Sequence, residues 1–373
     1  MKKNLGLLVI VTGVVLSILV VIKQKANFQK TPNPQDLKEA SFYETLDNGY
    51  VRCQLCPNYC VLAPGQRGIC KVRENINGKL YSLVYGKPVS INVDPIEKKP
   101  LYHFLPGTKI YSLATAGCNL DCQYCQNWDI AQRQPEDLAS FDMTPQQVID
   151  EALKAKAEAI AFTYNEPTVW YEYMFDIAKL AKQNNLKTVI ITAGYINQKP
   201  LKELLPYLDA VKIDFKSINP QTYQTLIKGN LEPVLQTIKT VHQSGKWLEL
   251  VHLVVPEFTD DLKEVAQLCT WIENNLGPDV PLHLSRFWPK YKLLNLPPTP
   301  EKTLKEARKI CLEIGLNYVY TGNIDDLEGS TTYCPQNQQP LIQRRGYFIE
   351  KNLIDQTGQA PSCPIQIPGV WEK

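Results

Sequence analysis

Short apolar runs alternate with longer amphipathic segments through most of the chain. The runs predict buried strands, and they are Ile110–Ala114, Ala159–Thr163, Lys187–Thr192, Ala210–Asp214, Leu248–Val255, Pro281–Phe287 and Tyr318–Tyr320. Segments with apolar residues at helical spacing lie between them, at Tyr171–Gln183, Pro233–Gln243, Leu262–Asn274 and Lys302–Ile314. A further helix is predicted to begin after Thr144, which has Pro at the next position and Gln two residues beyond it. This alternation predicts parallel strands with crossover helices, an α/β fold built as a full or partial (β/α) TIM-like barrel.

Polar segments follow the first four predicted strands. In a (β/α) barrel, the loops at the C-terminal ends of the strands carry the chemistry. A cysteine motif follows the first strand, Asn165-Glu166-Pro167 the second, Gly194 the third and Asp214-Phe215-Lys216 the fourth. The alternation of side chains along a strand places Asp214 and Lys216 on one face. The last three segments also have purely structural interpretations. Asn165-Glu166-Pro167 suits a helix-capping turn, Gly194 suits a tight turn, and Asp214 and Lys216 suit an ion pair at the barrel rim.

The charge balance and the cysteines narrow the function classes. A formal net charge of +2 gives no indication of a nucleic-acid partner. Eleven cysteines are present, and a chain of 373 residues builds its core without a disulfide scaffold, so short spacings indicate metal sites. Two groups have such spacings, and Cys269, Cys311, Cys334 and Cys363 stand apart from them.

The cysteine group that follows the first barrel strand in sequence is Cys118-x3-Cys122-x2-Cys125. Thiolates hold iron–sulfur clusters, and three on one loop bind three irons of a four-iron cubane. The fourth iron is then open to a ligand with an amine and a carboxylate. The competing interpretation is a ferredoxin-like or zinc site with a distant fourth ligand.

This motif, with the aromatic Tyr124 before its last cysteine, resembles the signature of the radical S-adenosylmethionine (SAM) enzymes. The glycyl-radical-activating branch, typified by pyruvate formate-lyase activating enzyme, looks similar in barrel layout. The closest resemblance is to the radical SAM member of the AmmeMemoRadiSam system, over about residues 50 to 370. The segments that carry it are Cys53-Gln54-Leu55-Cys56-Pro57, Asp94-Pro95-Ile96-Glu97-Lys98-Lys99-Pro100-Leu101-Tyr102-His103, Ala116-Gly117-Cys118-Asn119, Phe162-Thr163-Tyr164-Asn165-Glu166-Pro167 and Tyr318-Val319-Tyr320-Thr321-Gly322-Asn323.

The resemblance implies an enzyme with a [4Fe-4S] cluster on Cys118, Cys122 and Cys125. It also implies that Glu166 receives the methionine ammonium of SAM, that Lys216 meets its carboxylate and that Asp214 orders the site. The implied SAM-binding residues are Tyr124, Asn165, Glu166, Gly194, Asp214 and Lys216. His252 and His283, on strands five and six, are expected to be core histidines rather than nucleoside contacts.

The implied reaction is reductive cleavage of SAM to a 5′-deoxyadenosyl radical, which abstracts hydrogen from a substrate. The sequence does not identify this substrate, and proteins are one class of substrate to consider. A flavodoxin- or ferredoxin-type donor supplies the electron. Two alternatives stay open: a glycyl-radical-enzyme activase, and a non-catalytic Fe–S protein in electron transfer or sensing. The Asn165-Glu166 and Asp214/Lys216 elements argue against the second alternative, because electron transfer needs no amino-acid pocket.

Two further cysteine groups flank the barrel. Cys53, Cys56, Cys60 and Cys70 lie within 18 residues and suit structural Zn²⁺ or a second Fe–S cluster. In the tail, Cys334-Pro335-Gln336-Asn337 and Cys363-Pro364-Ile365-Gln366 each lack the second cysteine of a zinc knuckle. We therefore expect a degenerate, zinc-ribbon-like tail without bound zinc.

The N-terminus predicts a membrane segment. The apolar run 5–22 is flanked by lysines and is just long enough to cross a bilayer, with a cleaved signal peptide as the alternative. The expected organisation is an anchor or signal segment (1–25), a tether (26–45), a Cys-rich segment (46–108), the barrel (109–325) and the tail (326–373). Because SAM and low-potential electrons are intracellular, we expect a single-pass, membrane-anchored protein with its catalytic domain on the cytoplasmic face.

Overall fold

The computed structural model describes residues 34–372, and its main compact unit begins at Lys38. Two small antiparallel sheets precede the barrel, with strand orders β1-β6-β5 and β2-β3-β4. Their strands are β1 (Lys38–Glu39), β2 (Tyr43–Thr45), β3 (Val51–Cys53), β4 (Val61–Leu62), β5 (Arg73–Ile76) and β6 (Lys79–Ser82). Residues 38–45, which we expected to lie in a tether, therefore contribute two of these strands, while 26–33 lie outside the described residues.

A single eight-stranded sheet forms the partial barrel, in the order β14-β13-β12-β11-β10-β9-β8-β7. Seven strands are parallel, and β7 joins the edge antiparallel to β8. The strands are β7 (Ser90–Pro95), β8 (Lys109–Ala114), β9 (Ala159–Phe162), β10 (Lys187–Thr192), β11 (Ala210–Asp214), β12 (Trp247–Val254), β13 (Leu282–Arg286) and β14 (Val319–Gly322). The sequence predicted the seven parallel strands, because strands covered on both faces are apolar throughout.

Helices cover the outside of this sheet. They are α1 (Trp128–Ala131), α2 (Pro145–Lys154), α3 (Tyr171–Gln183), α4 (Gln198–Leu204), α5 (Pro220–Thr222), α6 (Leu231–Gln243), α7 (Leu262–Leu276), α8 (Glu301–Ile314) and α9 (Leu327–Ser330). The predicted capping box at the start of α2 is confirmed: Gln147 N donates to Thr144 Oγ1 (3.3 Å) and Thr144 N donates to Gln147 Oε1 (2.8 Å). Short 3₁₀ turns occupy Pro34–Asp36, Asp47–Gly49, Ile96–Lys98, Pro135–Asp137, Pro167–Trp170 and Leu205–Tyr207, and a π turn follows α5 at Tyr223–Ile227.

The tail after the barrel forms a three-stranded antiparallel sheet of β15 (Thr332–Tyr333), β16 (Pro340–Arg345) and β17 (Phe348–Asn352). A disulfide joins Cys334 to Cys363 within the tail, and a second joins Cys269 of α7 to Cys311 of α8. The expectation of a core built without disulfides is therefore corrected. Hydrophobic periodicity defines each helix but does not say which helices pack side by side, so the 42-residue separation of Cys269 and Cys311 concealed the pair.

The expectation of a membrane-anchored protein is corrected here. Within residues 34–372 no helix has the length and apolar character needed to cross a bilayer. The 15 residues of α7 span only about 22 Å at 1.5 Å per residue, against a hydrocarbon core of about 30 Å. The predicted anchor at 1–25 lies outside the described residues, and the membrane partner and the single-pass cytoplasmic placement are withdrawn with it.

Candidate functional site

The three-cysteine loop begins where β8 ends, at the C-terminal edge of the barrel strands. Cys125 N donates to Cys122 O (3.0 Å), and Leu120 N approaches Cys118 Sγ at 3.5 Å. Cys122 is 8% exposed. The loop therefore holds three sheltered thiols at the edge where barrel chemistry takes place.

Burial raises the pKa of the Cys122 thiol to about 12, and it also raises the pKa values of Cys118 and Cys125. The Lys216 ammonium opposes this shift at Cys122 and Cys125. Without a metal the three thiols keep their protons, and metal binding would release them.

The chemistry of the three-cysteine donor set fits an iron–sulfur cluster. One loop supplies three soft thiols, and thiolates are the ligands that such clusters take.

Asn165 holds the cysteine loop in place. Its Nδ2 donates to Gly117 O (2.8 Å), and its Oδ1 accepts from Trp170 Nε1 (3.1 Å). Gly117 itself has a φ of +93°, and a Cβ there would lie 2.6 Å from both Cys70 O and Val72 Cγ1. The N-terminal segment thus presses directly against the residue before Cys118.

Gly117→Ala is expected to destabilise the fold more than Gly245→Ala. Both positions have positive φ, which costs a non-glycine residue roughly 1–3 kcal/mol, but only Gly117 has backbone in its Cβ position; nothing lies within 4 Å at Gly245. Urea unfolding of the two variants measures the difference. Equal losses would contradict the close approach of Cys70 to the loop.

Glu166 joins the ends of β9 and β10. Its Oε1 accepts from Thr168 N (3.1 Å), Thr168 Oγ1 (2.7 Å) and Thr192 Oγ1 (2.6 Å), while Oε2 accepts from Ala193 N (2.8 Å). The side chain is 2% exposed. Because an ionised carboxylate oxygen has two lone-pair sites, Oε2 retains one for a further donor.

Asp214 is the last residue of β11, Lys216 lies two residues beyond the strand, and their side chains pair at 3.3 Å. Lys212, two residues before Asp214 on the same face of the strand, binds the other Asp214 oxygen. Burial alone would raise the pKa of Asp214, but the two ammonium groups outweigh it and lower that pKa to about 2. Lys216 Nζ also lies 5.8 Å from the Tyr124 ring centroid, beside the cysteine loop.

Gly194, in the turn after the third barrel strand, has a structural role. Gly194 has a φ of +70°, and its neighbours are Ile213, Thr237 and Val234, so it faces the strand and helix layer. Its N donates to Thr192 Oγ1 (3.0 Å), which ties it to the Glu166 network. A tight turn accounts for this glycine.

A second buried ionic cluster was not anticipated. Asp94 accepts from Lys99 Nζ (2.6 Å) and Tyr164 OH (2.6 Å), and Lys99 lies 4.5 Å from the Tyr164 ring centroid. Burial lowers the pKa of Lys99 to about 8 despite this pairing. Tyr164 O accepts from Asn127 Nδ2 (2.6 Å), so the cluster is tied to the turn after Cys125. The signal in the sequence was the charged segment 94–99, in which four of six residues are Asp, Glu or Lys.

The two barrel histidines are core residues, as expected. His252 bonds Phe215 O (3.1 Å) and Thr259 O (3.3 Å), and His283 bonds Glu249 (2.7 Å). Burial lowers the pKa of both rings. Neither histidine has a ring nitrogen committed to the cysteine loop.

The segments that form the barrel and this site also match known proteins. The model of the radical SAM superfamily matches residues 112–269, which begin in β8 and end in α7. An uncharacterised protein of Methanocaldococcus jannaschii is 44% identical over 329 residues, covering 88% of this chain and 97% of its own. The chain belongs to the radical SAM superfamily.

Two pyruvate formate-lyase-activating enzymes are similar at lower identity. The pyruvate formate-lyase-activating enzyme of Clostridium pasteurianum is 26% identical over 167 residues, covering 42% of this chain and 67% of the enzyme. A domain of the corresponding enzyme from Bacteroides vulgatus matches in structure with a TM-score of 0.39 and 18% identity, over 45% of this chain and all of that domain. The radical SAM superfamily implies SAM and a [4Fe-4S] cluster, together with a reductant and a substrate, and it agrees with the mixed α/β partial barrel.

Proposed function

We propose that this chain binds a [4Fe-4S] cluster through Cys118, Cys122 and Cys125 and uses it to cleave SAM. When bound, the cluster supplies one electron, which splits SAM into methionine and a 5′-deoxyadenosyl radical. The observation that carries the proposal is the position of one buried and two partly buried thiols after the C-terminal end of β8, with the Lys216 ammonium beside Cys122.

The chain's own residues would position SAM. Lys216 would donate to the methionine carboxylate, and Asp214, which also pairs with Lys212, would hold the Lys216 ammonium in place. Glu166 Oε2, which has one protein donor, would accept from the methionine ammonium. Tyr124 would line the site beside Lys216. Asn165 positions the cysteine loop and Gly194 shapes the third turn.

The radical would abstract hydrogen from a substrate, and we propose that this substrate is a protein or peptide. We also propose that a flavodoxin- or ferredoxin-type protein donates the electron. The narrower resemblance to the AmmeMemoRadiSam enzyme remains a proposal. A glycyl-radical-enzyme activase is the second candidate, favoured by the similarity to the Clostridium pasteurianum activating enzyme. We also propose that Cys53, Cys56, Cys60 and Cys70 bind a second metal centre.

The test is anaerobic reconstitution with iron and sulfide, then assay of 5′-deoxyadenosine from SAM with dithionite. Lys216→Met should raise the KM for SAM by about tenfold or more, because it removes a charge-assisted hydrogen bond. Asp214 would keep its pair with Lys212, so the fold should persist. Lys263→Met, at an exposed position, is the matched control. An unchanged KM in Lys216→Met would remove Lys216 from the site.

A further inference from the structure

We infer that the outer side of the cysteine loop is the docking face for an acidic, flavodoxin-type electron donor, a protein that carries flavin mononucleotide. The inference rests on the proposed function, since it requires a cluster at Cys118, Cys122 and Cys125. We call this surface the donor face. It is defined by five exposed side chains from three segments that meet at the loop: Arg133, Lys228, Trp288, Lys290 and Leu294.

The loop after β13 lies directly against the residues that flank Cys122. Lys292 N donates to Gln123 O (2.9 Å), and Lys292 Nζ pairs with Asp121 (2.6 Å). Tyr291 OH donates to the same Asp121 carboxylate (3.3 Å). Contacts to both neighbours of Cys122 therefore fix this loop beside a proposed cluster ligand.

Two apolar side chains of the loop after β13 face solvent. Trp288 is 52% exposed and Leu294 is 70% exposed, while Leu293 and Leu296 are buried and fix the loop to the body of the protein. Arg286 lies 4.6 Å from the centroid of the Trp288 ring and holds the indole in place. A fixed, exposed indole suits contact with a flat, apolar ring system, and the isoalloxazine edge of a flavin is such a ring system.

Lys228 places a positive charge close to the Cys122 sulfur. It follows Ile227, whose carbonyl oxygen accepts from Asp121 N (3.2 Å) and lies 3.9 Å from Cys122 Sγ. The Lys228 side chain itself is exposed. The backbone of one turn therefore separates this surface cation from a proposed cluster ligand.

Arg133 adds a further cation near the end of the cysteine loop. It lies 5.8 Å from the centroid of the Trp128 ring, and that ring stacks on Tyr291 with centroids 5.5 Å apart and planes at 12°. Trp128 begins α1, three residues after Cys125. The stacked pair thus joins the turn after Cys125 to the loop after β13.

The donor face carries an excess of positive charge. Within the described part of the chain its three cations form no salt bridge, whereas the neighbouring carboxylates of Asp121 and Glu301 are already paired with a lysine and an arginine. Asp129 is a nearby carboxylate that stays unpaired, so three free cations face one free anion. A chain with a formal net charge of +2 has little general attraction for acidic proteins, and a local excess of this kind selects an acidic partner.

The position of the face favours a donor over a substrate. A substrate must reach the radical beside Lys216 and Glu166, whose side chains are buried in the barrel. Across residues 34–372, no member of the donor face hydrogen-bonds or ion-pairs with either residue. An electron needs a short path to the cluster and no entry into the barrel.

The transfer at this face moves one electron. The reduced flavin of the donor loses it and is oxidised by one electron, and the cluster gains it. No bond forms or breaks, and no proton moves. The side chains of the donor face orient the partner and take no part in the chemistry.

Binding tests the face independently of activity. The reconstituted full chain is titrated with an oxidised bacterial flavodoxin in a calorimeter, and Lys290→Glu should raise the Kd by about fivefold or more. Lys179→Glu, at an exposed position of α3 that forms no salt bridge among the described residues, is the matched control and should leave the Kd unchanged. Equal Kd values in the two variants, no binding by the unsubstituted chain, or binding of a bacterial ferredoxin in place of flavodoxin would overturn the inference.

The second test is the ratio of 5′-deoxyadenosine rates driven by reduced flavodoxin and by dithionite, a small reductant that needs no docking face. Trp288→Ser should lower this ratio by about tenfold or more, because a buried aromatic anchor is lost from the complex. An unchanged ratio, or an equal loss of both rates, would overturn the inference. Absence of product with dithionite in the unsubstituted chain would instead overturn the proposed function.

Discussion

Replacing Cys122 with serine is expected to abolish 5′-deoxyadenosine formation. Cys122 is the central cysteine of the loop and the second of the three proposed ligands, and its sulfur lies in a buried site beside Lys216. A serine hydroxyl neither ionises there nor provides the soft sulfur that iron–sulfur clusters prefer. The measurement is product formation with dithionite, accompanied by iron and sulfide analysis of the purified variant.

The control for cysteine loss in general is the pair Cys334→Ser and Cys363→Ser. These residues form a disulfide in the tail and belong to no site proposed above. The tail variant should retain activity while Cys122→Ser loses it. Retained 5′-deoxyadenosine production in folded Cys122→Ser would remove this loop as the seat of the chemistry.

The second large effect concerns stability. Glu172→Ala is expected to lower the free energy of unfolding by roughly 3–5 kcal/mol, because it leaves the buried Arg73 guanidinium without its charged partner. The pair is 2% exposed on each side and bidentate. It also joins the N-terminal sheets to the barrel, since Arg73 lies in β5 and Glu172 in α3.

A double variant separates charge pairing from packing. Arg73→Met with Glu172→Leu removes both charges together and should be far less destabilised than Glu172→Ala, because apolar pairs of similar volume replace buried ion pairs at little cost. Urea unfolding of the three proteins measures this. Glu172→Ala losing less than about 1 kcal/mol would mean that water reaches the pair.

The sequence predicted the barrel because its strands are buried on both faces. Runs such as Ala159–Phe162 have no polar position, and helix and strand periods differ clearly in such a chain. The antiparallel edge strand β7 escaped prediction, since Ser90–Pro95 mixes exposed and buried positions without a regular alternation. Its place was decided by pairing with β8, which no local pattern encodes.

The candidate site was likewise predicted only in part. Spacing alone singled out the cysteine loop and the pair Asp214 and Lys216, whose side chains lie 3.3 Å apart. Lys212 was missed, although a lysine at the same two-residue period in an apolar strand was a usable signal. Two of the four donors to Glu166 come from Thr168 and belong to the helix-capping turn that the sequence allowed. The other two could not be predicted, because Thr192 and Ala193 lie at the end of the next strand and meet Glu166 only in the folded barrel.

The two disulfides give this protein opposing redox requirements during its maturation. Sulfur–sulfur bonds form by oxidation, whereas iron–sulfur clusters are assembled and used under reducing conditions. Exchange at a disulfide needs an attacking thiolate to reach the sulfur. Cys269, Cys311 and Cys334 are 0% exposed and Cys363 is 6% exposed. Once the helices and the tail have closed over them, both bonds are sheltered from small reductants, so an oxidised scaffold and a reduced cofactor can coexist in one chain.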